Sequence, residues 1–265
     1  MRFGGTKKHG DMSPTRFSAS VGRATLRRVL FDGLGDVVHF SKGFARYERL
    51  EDNRIRAHFN DASSADASLL IDADGAGSRV RQQLLPEATL RDPGQRTIFG
   101  KTKLDDATRP LLPAFLHDGF GAVIGTHQRG MALGLMQFQT WLETITVTAR
   151  LHTRLRPTPD YLTWALTVPV EQLPEPDATM HTLGGLGLLK IAQALTEEWH
   201  PDLRTLLAAS DTTHIAFTPI RLATPVSPLE TTNITLPCDA IHTRFHPFAL
   251  PFMLVDKLTK LVRSD

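Results

Sequence analysis

The sequence predicts a mixed α/β (α+β) fold, in which a mostly antiparallel sheet is inserted into another α/β domain. Three observations predict it. An apolar run at residues 68–71 leads into an acidic, glycine-rich turn and then into a helical pattern. Residues 96–151 hold four strand-like segments punctuated by glycine turns, with no helical period. After two helical patterns, a short β-branched segment at 233–236 returns the chain to extended structure.

The elements follow in order. Residues 1–19 are rich in Gly, Lys and Ser and read as a loose leader. Ser20 is placed to cap a helix, in which Leu26, Val29, Leu30 and Leu34 recur at helical spacing; Gly33 and Gly35 end it. Strands are expected at 37–40, 44–49 and 55–59, the last two joined by a turn at Asp52-Asn53. Residues 61–66 read as a loop and 68–71 as a buried strand. Beyond Leu85-Pro86, strands are expected at 96–104, 119–126, 131–138 and 143–151, with turns at Gly94, Gly119 and Gly130. Pro157, Pro159, Pro169, Pro174 and Pro176 interrupt the next stretch. Helices are expected at 185–198 and 201–209, the second with Pro201 in its first turn. From Ile215 the chain is extended again, ending in the strand at 233–236. The domain plan is a leader at 1–19, a first part of one domain at 20–94, an inserted sheet at 95–222 and a return to the first domain at 223–265.

Composition narrows the function. With 41% apolar residues, the 265-residue chain can bury a sizeable core. Thirty basic against 28 acidic residues leave a formal charge of +2, which argues against a nucleic-acid partner. Cys238 is the single cysteine, so no internal disulfide and no CxxC pair is possible, which suits a reducing compartment. The polar N-terminus and short apolar runs lead us to expect a soluble cytoplasmic protein with no signal peptide and no transmembrane segment. No metal site is expected: the 11 histidines include no His-Glu-x-x-His helix, and His242 and His246 lack an acidic partner at helical spacing. There is no Gly-x-Ser-x-Gly elbow, and no base is evident to activate Cys238.

The run Ile71-Asp72-Ala73-Asp74-Gly75-Ala76-Gly77-Ser78-Arg79-Val80-Arg81 carries the most chemistry. Gly75 and Gly77 allow a sharp turn and close backbone approach to a ligand. Asp74 can accept hydrogen bonds from sugar hydroxyls, Ser78 can cap the following helix, and Arg79 and Arg81 offer charge to a phosphate or carboxylate. On chemistry alone, a plain strand–turn–helix connection with charged flanks fits equally well.

The same run resembles the Gly-Ala-Asp-Gly-x-x-Ser-x-Val-Arg signature of the FAD-dependent aromatic hydroxylases, a family of flavin monooxygenases; it departs at Asp72, where that family has glycine. The segment Arg23-Ala24-Thr25-Leu26-Arg27-Arg28-Val29-Leu30 is similar to the family's Arg-x-x-Leu-Arg-x-x-Leu helix, whose first arginine contacts FAD. The segment Asn233-Ile234-Thr235-Leu236-Pro237-Cys238-Asp239-Ala240-Ile241-His242 resembles its second fingerprint, a strand followed by Gly-Asp-Ala-x-His, with Cys238 in place of the glycine. The resemblance spans residues 20–247. It implies a partial FAD-binding domain with the inserted sheet as substrate domain, and Arg23, Asp74, Asp239 and Ala240 as cofactor-binding residues. Asp239 would bond the flavin's ribityl hydroxyls. It implies FAD as cofactor, NAD(P)H as reductant and O₂ as oxidant, with hydroxylation of an aromatic or polyketide-like small molecule. Phe99, Leu133, Leu135 and Phe138 would then line or support an apolar pocket. The chain departs from the family in two further ways: nothing before Arg23 resembles the opening βαβ unit with Gly-x-Gly-x-x-Gly, and the family's glycines after Pro247 are missing. Two other readings therefore stay open, a truncated non-catalytic paralogue or fragment that does not bind FAD by itself, and a reductase-like flavoprotein without oxygenation.

Overall fold

Alternation of inward and outward side chains, with one face closed by helices, builds the larger part of the molecule. The computed structural model describes residues 2–5, 22–118, 120–138, 158–224 and 232–241. In chain order the elements are β1 (Arg2–Gly5), α1 (Arg23–Phe31), β2 (Phe44–Arg49), β3 (Ile55–Phe59), β4 (Ser64–Ala67), β5 (Leu70–Ile71), α2 (Arg79–Leu84), β6 (Leu90–Arg91), β7 (Gln95–Lys103), β8 (Phe120–Ile124), β9 (Gly130–Met136), β10 (Tyr161–Pro169), α3 (Asp177–Thr182), α4 (Gly185–Leu195), α5 (Pro201–Ala208), β11 (Ala216–Pro219), β12 (Leu222–Ala223) and β13 (Ile234–Thr235). They fall into two compact units. One holds the described residues of 1–35 and 94–219, the other those of 36–93 and 220–246.

The first unit is a six-stranded antiparallel sheet in the order β1-β8-β9-β10-β7-β11. The nine-residue β10 is central. Its Leu162, Trp164, Leu166 and Val168 turn to one face and join Ile98, Met131 and Leu133 in a core closed by Leu188, Ala192, Leu203 and Leu206 of α4 and α5. Gly100 stands opposite Trp164; a Cβ there would lie 2.5 Å from the indole, so the bulky ring dictates the glycine. The indole N–H donates to Ser210 Oγ at 2.9 Å, and Ser210 Oγ lies 3.0 Å from Thr102 Oγ1, so the buried polar atoms in this wall are satisfied. Pro201 opens α5 in its first turn, as expected.

Strand β10 is a correction to the sequence reading, which took its prolines as interruptions. Only Pro169 lies inside it, at the last position, while Leu162, Trp164, Leu166 and Val168 keep a strict period of two. Helix α3 is a second correction: Pro174 and Pro176 precede it rather than break it. Arg2–Gly5, assigned to the loose leader, pairs with β8 as the edge strand. The strand expected at 143–151 lies outside the described residues, as does Ser20. Helix α1 starts at Arg23 after Gly22 and buries no side chain.

The second unit has three small sheets. Strands β2, β3 and β4 form an antiparallel meander. Asn53, at φ +61°, makes the expected turn between the first two. The loop expected at 61–66 instead yields β4, because Arg56 on β3 faces Asp66 and grips it with two bonds of 2.6 and 2.8 Å. The segment 37–40 forms no strand: it pairs with no strand among the described residues, and Val37 and Phe40 are exposed. Strand β5 is shorter and less buried than expected, with Leu69 and Ile71 largely exposed. It pairs in parallel with β13, and β6 pairs antiparallel with β12. Among the described residues, no helix is long and apolar enough to cross a membrane.

The Gly100–Trp164 contact gives a direct test. Gly100→Ala drives a methyl group into the indole and should destabilise the protein by about 1–3 kcal/mol, read as a lower urea midpoint with an unchanged slope.

Candidate functional site

Parallel pairing brings two chemistry-bearing turns to the same end of a sheet. Leu70 N–H donates to Asn233 O and Asp72 N–H to Thr235 O, both at 2.9 Å, fixing β5 beside β13. Beyond its carboxyl end, β5 leads into a 3₁₀ turn at Gly75–Gly77; β13 leads into another at Cys238–Ala240, and the two turns pack together. The carboxyl ends of parallel strands are where open α/β sheets bind ligands. Gly75 has φ +85°, which only glycine adopts freely, and a Cβ on Gly75 or Gly77 would meet nothing within 4 Å among the described residues. The turn therefore offers an open backbone face.

A buried polar chain holds the two turns. Asp72, 6% exposed, accepts a hydrogen bond from Ser78 Oγ and one from Asp74 N–H at 3.4 Å. Ser78 Oγ in turn accepts from Arg81 N–H at 2.8 Å, which is the helix cap expected for α2. The Arg81 guanidinium, 2% exposed, donates to Ala76 O at 2.5 Å in the first turn and to Ala240 O at 2.9 Å in the second. Among the described residues its Nε has no hydrogen-bond partner. Burial pushes the Asp72 carboxyl above its ordinary range; the Ser78 hydroxyl opposes this and the neighbouring Asp74 carboxyl adds to it.

Asp74 and Asp239 stand on the two neighbouring turns with exposed side chains, while Ala240 is fully buried. Arg23 is exposed on α1 and belongs to the other unit. Arg79 and Arg81 divide differently from the expectation that both would face an anion. Arg81 is buried on two carbonyls, and Arg79 donates to Phe44 O at 3.1 Å. Asp72 went unassigned in the sequence reading, although a carboxylate six residues before a serine cap was its visible signal. Of the residues expected around an apolar pocket, Leu133 is core, Leu135 packs against the core, Phe138 lies 5.7 Å from the Tyr161 ring and Phe99 is 40% exposed. His242 lies outside the described residues.

No protein-family model matches the chain. The dual O-methyltransferase/FAD-dependent monooxygenase elcB of Phaeosphaeria nodorum is 30% identical over 248 residues, which is 86% of this chain and 26% of that protein. A dual O-methyltransferase/FAD-dependent monooxygenase of Cercospora beticola is 29% identical over 240 residues, covering 84% of this chain and 27% of its own length. Among solved structures, HpxO of Klebsiella pneumoniae, complexed with FAD and uric acid, matches with TM-score 0.61 at 25% identity over 84% of this chain and 48% of that one. Over 84–86% of its length the chain is thus similar to proteins named as FAD-dependent monooxygenases or solved with FAD bound. A solved structure from Photorhabdus luminescens described as an FAD-containing monooxygenase matches with TM-score 0.67 at 26% identity, over 82% of this chain and 55% of its own. The chain thus spans about a quarter of the length of these curated relatives and about half that of the solved structures.

The site makes two stability predictions. Ser78→Ala removes a helix cap and the hydroxyl that bonds Asp72, and should cost about 1–3 kcal/mol, measured by thermal unfolding. The sign for Asp72 is opposite to that of a salt-bridged carboxylate. Its folded value is raised, so the folded state holds an extra proton in acid, and stability falls as pH rises through that folded value. Asp72→Asn should flatten this part of the pH–melting-temperature profile.

Proposed function

We propose that this chain is part of an FAD-dependent monooxygenase that uses NAD(P)H and O₂ to hydroxylate an aromatic or polyketide-like small molecule. The observation that carries this reading is the junction of the two acid-bearing turns at the carboxyl ends of β5 and β13, bound through Arg81 and Ala240. The residues present suit a hydroxyl-rich cofactor. Asp74 and Asp239 are exposed acceptors, and Gly75 and Gly77 leave the backbone open to close approach.

Bound FAD would supply the redox chemistry, accepting a hydride and activating O₂. The protein's own share is binding and orientation. Asp74 and Asp239 would accept hydrogen bonds from ribose or ribityl hydroxyls. Support for a flat substrate comes from the large sheet, where Phe99, Ala165 and Ala132 stand in one row across β7, β10 and β9. The half-buried Ala165 beside the 40% exposed Phe99 ring leaves room for an aromatic group, while Ala132 is itself buried.

Flavin titration tests the reading. Stoichiometric FAD binding is expected, with Asp74→Asn and Asp239→Asn each weakening it about tenfold or more while moving stability by less than about 0.5 kcal/mol, as exposed sites do. No bound flavin at high FAD would overturn the proposal. Product analysis under labelled O₂ separates oxygenation from simple NAD(P)H oxidation.

A further inference from the structure

The turn after β5 carries two carboxylates two residues apart, and they live in different worlds. Asp74 is exposed, whereas Asp72 is 6% exposed and has no ion pair among the described residues. An ionised carboxylate buried in this way opposes folding unless its bonds compensate. Asp72 also occupies the position at which the resembled family carries glycine. Its bonds show what the charge maintains: the Ser78 hydroxyl and the Asp74 backbone N–H both point to it, and its own N–H ties it to Thr235 of β13. From Ser78 the chain of bonds continues to Arg81, and from Arg81 to the carbonyl of Ala240.

We propose that Asp72 is a positioning residue, whose carboxylate fixes the turn bearing Asp74 and, through Ser78 and Arg81, sets that turn against the one bearing Asp239. This rests on the reading of both turns as cofactor-binding. Two acceptor oxygens are needed for the job, one for the hydroxyl and one for the backbone N–H. An amide at this position keeps one acceptor oxygen and turns the other into a donor. Glycine keeps neither. Besides Asp72, the charged side chains on the surrounding elements are Asp74 on the same turn, Arg81 within the relay, Arg79 on α2, which donates to Phe44 O, and Asp239 on the facing turn.

The test compares wild type, Asp72→Asn and Ser78→Ala in the full chain, by hydrogen exchange, melting temperature and FAD titration at neutral pH. Asp72→Asn is expected to speed exchange severalfold at the Asp74 and Ser78 amides and also at the distant Ala240 amide. FAD affinity should fall about tenfold. The melting temperature should hold or rise, because a costly buried charge is gone; a merely structural carboxylate would lower stability and affinity together. Ser78→Ala removes the hydroxyl that joins Asp72 to the Arg81 amide but leaves the carboxylate in place, and should reproduce the exchange pattern. Exchange changes confined to the first turn, or unchanged FAD affinity in Asp72→Asn, would overturn the proposal. If wild type binds no FAD, the proposed function fails, and the exchange at Ala240 alone then decides whether Asp72 positions the second turn.

Discussion

One guanidinium holds the candidate site together. Arg81 reaches from α2 to the carbonyl of Ala240 across 159 residues of sequence, while its other branch holds Ala76. Parallel pairing of β5 and β13 is only two residues long, and short strand pairs are marginal by themselves. The bonds beyond the strand ends therefore carry much of the work of keeping the two turns adjacent. A buried arginine is suited to this because its planar fork satisfies two carbonyls at once and cannot lose its charge. Asp74 and Asp239 are exposed on turns whose backbone these buried neighbours hold.

The two units are stabilised by different means. In the sheet unit, a Trp164-centred apolar core and helices α4 and α5 close one face of six strands. The second unit has a smaller core built around Tyr47, Ile55, Val80, Ile234 and Leu236, and relies on polar links between distant segments. Gln83, for example, bonds both the N–H and the carbonyl of Tyr47, at 2.9 and 2.7 Å, and so docks α2 on β2. Such links are directional where apolar burial is not, which suits a region whose task is to hold backbone turns in register.

Much of this was legible in the residues. The glycine-rich turn, the Ser78 cap, strands β2, β3, β7, β8 and β9 and helices α4 and α5 follow from local patterns, since each depends on neighbours a few residues away. Strand β10 was also legible, through its period-two apolar residues, but the surrounding prolines obscured it. Strand β4 was not, because Ser64–Ala67 has no apolar signal and is held by ladder bonds and the Arg56–Asp66 pair. Neither was the role of Arg81: an arginine in a motif reads as a charge for a ligand, and only the fold reveals that the backbone of a distant turn has already taken it.

The discontinuity of the second unit has a kinetic consequence. Residues 36–93 emerge from the ribosome long before 220–246, yet β5 finds its parallel partner and Arg81 its carbonyl only in the later segment. Contacts this far apart in sequence are slow to form, and vectorial synthesis delays them further. Until then Leu69 and Ile71 sit on an unpaired strand edge, the kind of surface that invites wrong partners. Across 94–219, by contrast, β7, β8, β9, β10 and β11 find all their mutual partners within the segment. That sheet can consolidate first and shorten the effective loop that the later strand must close. The insertion that divides the second unit in sequence would then serve as the internal scaffold for its assembly.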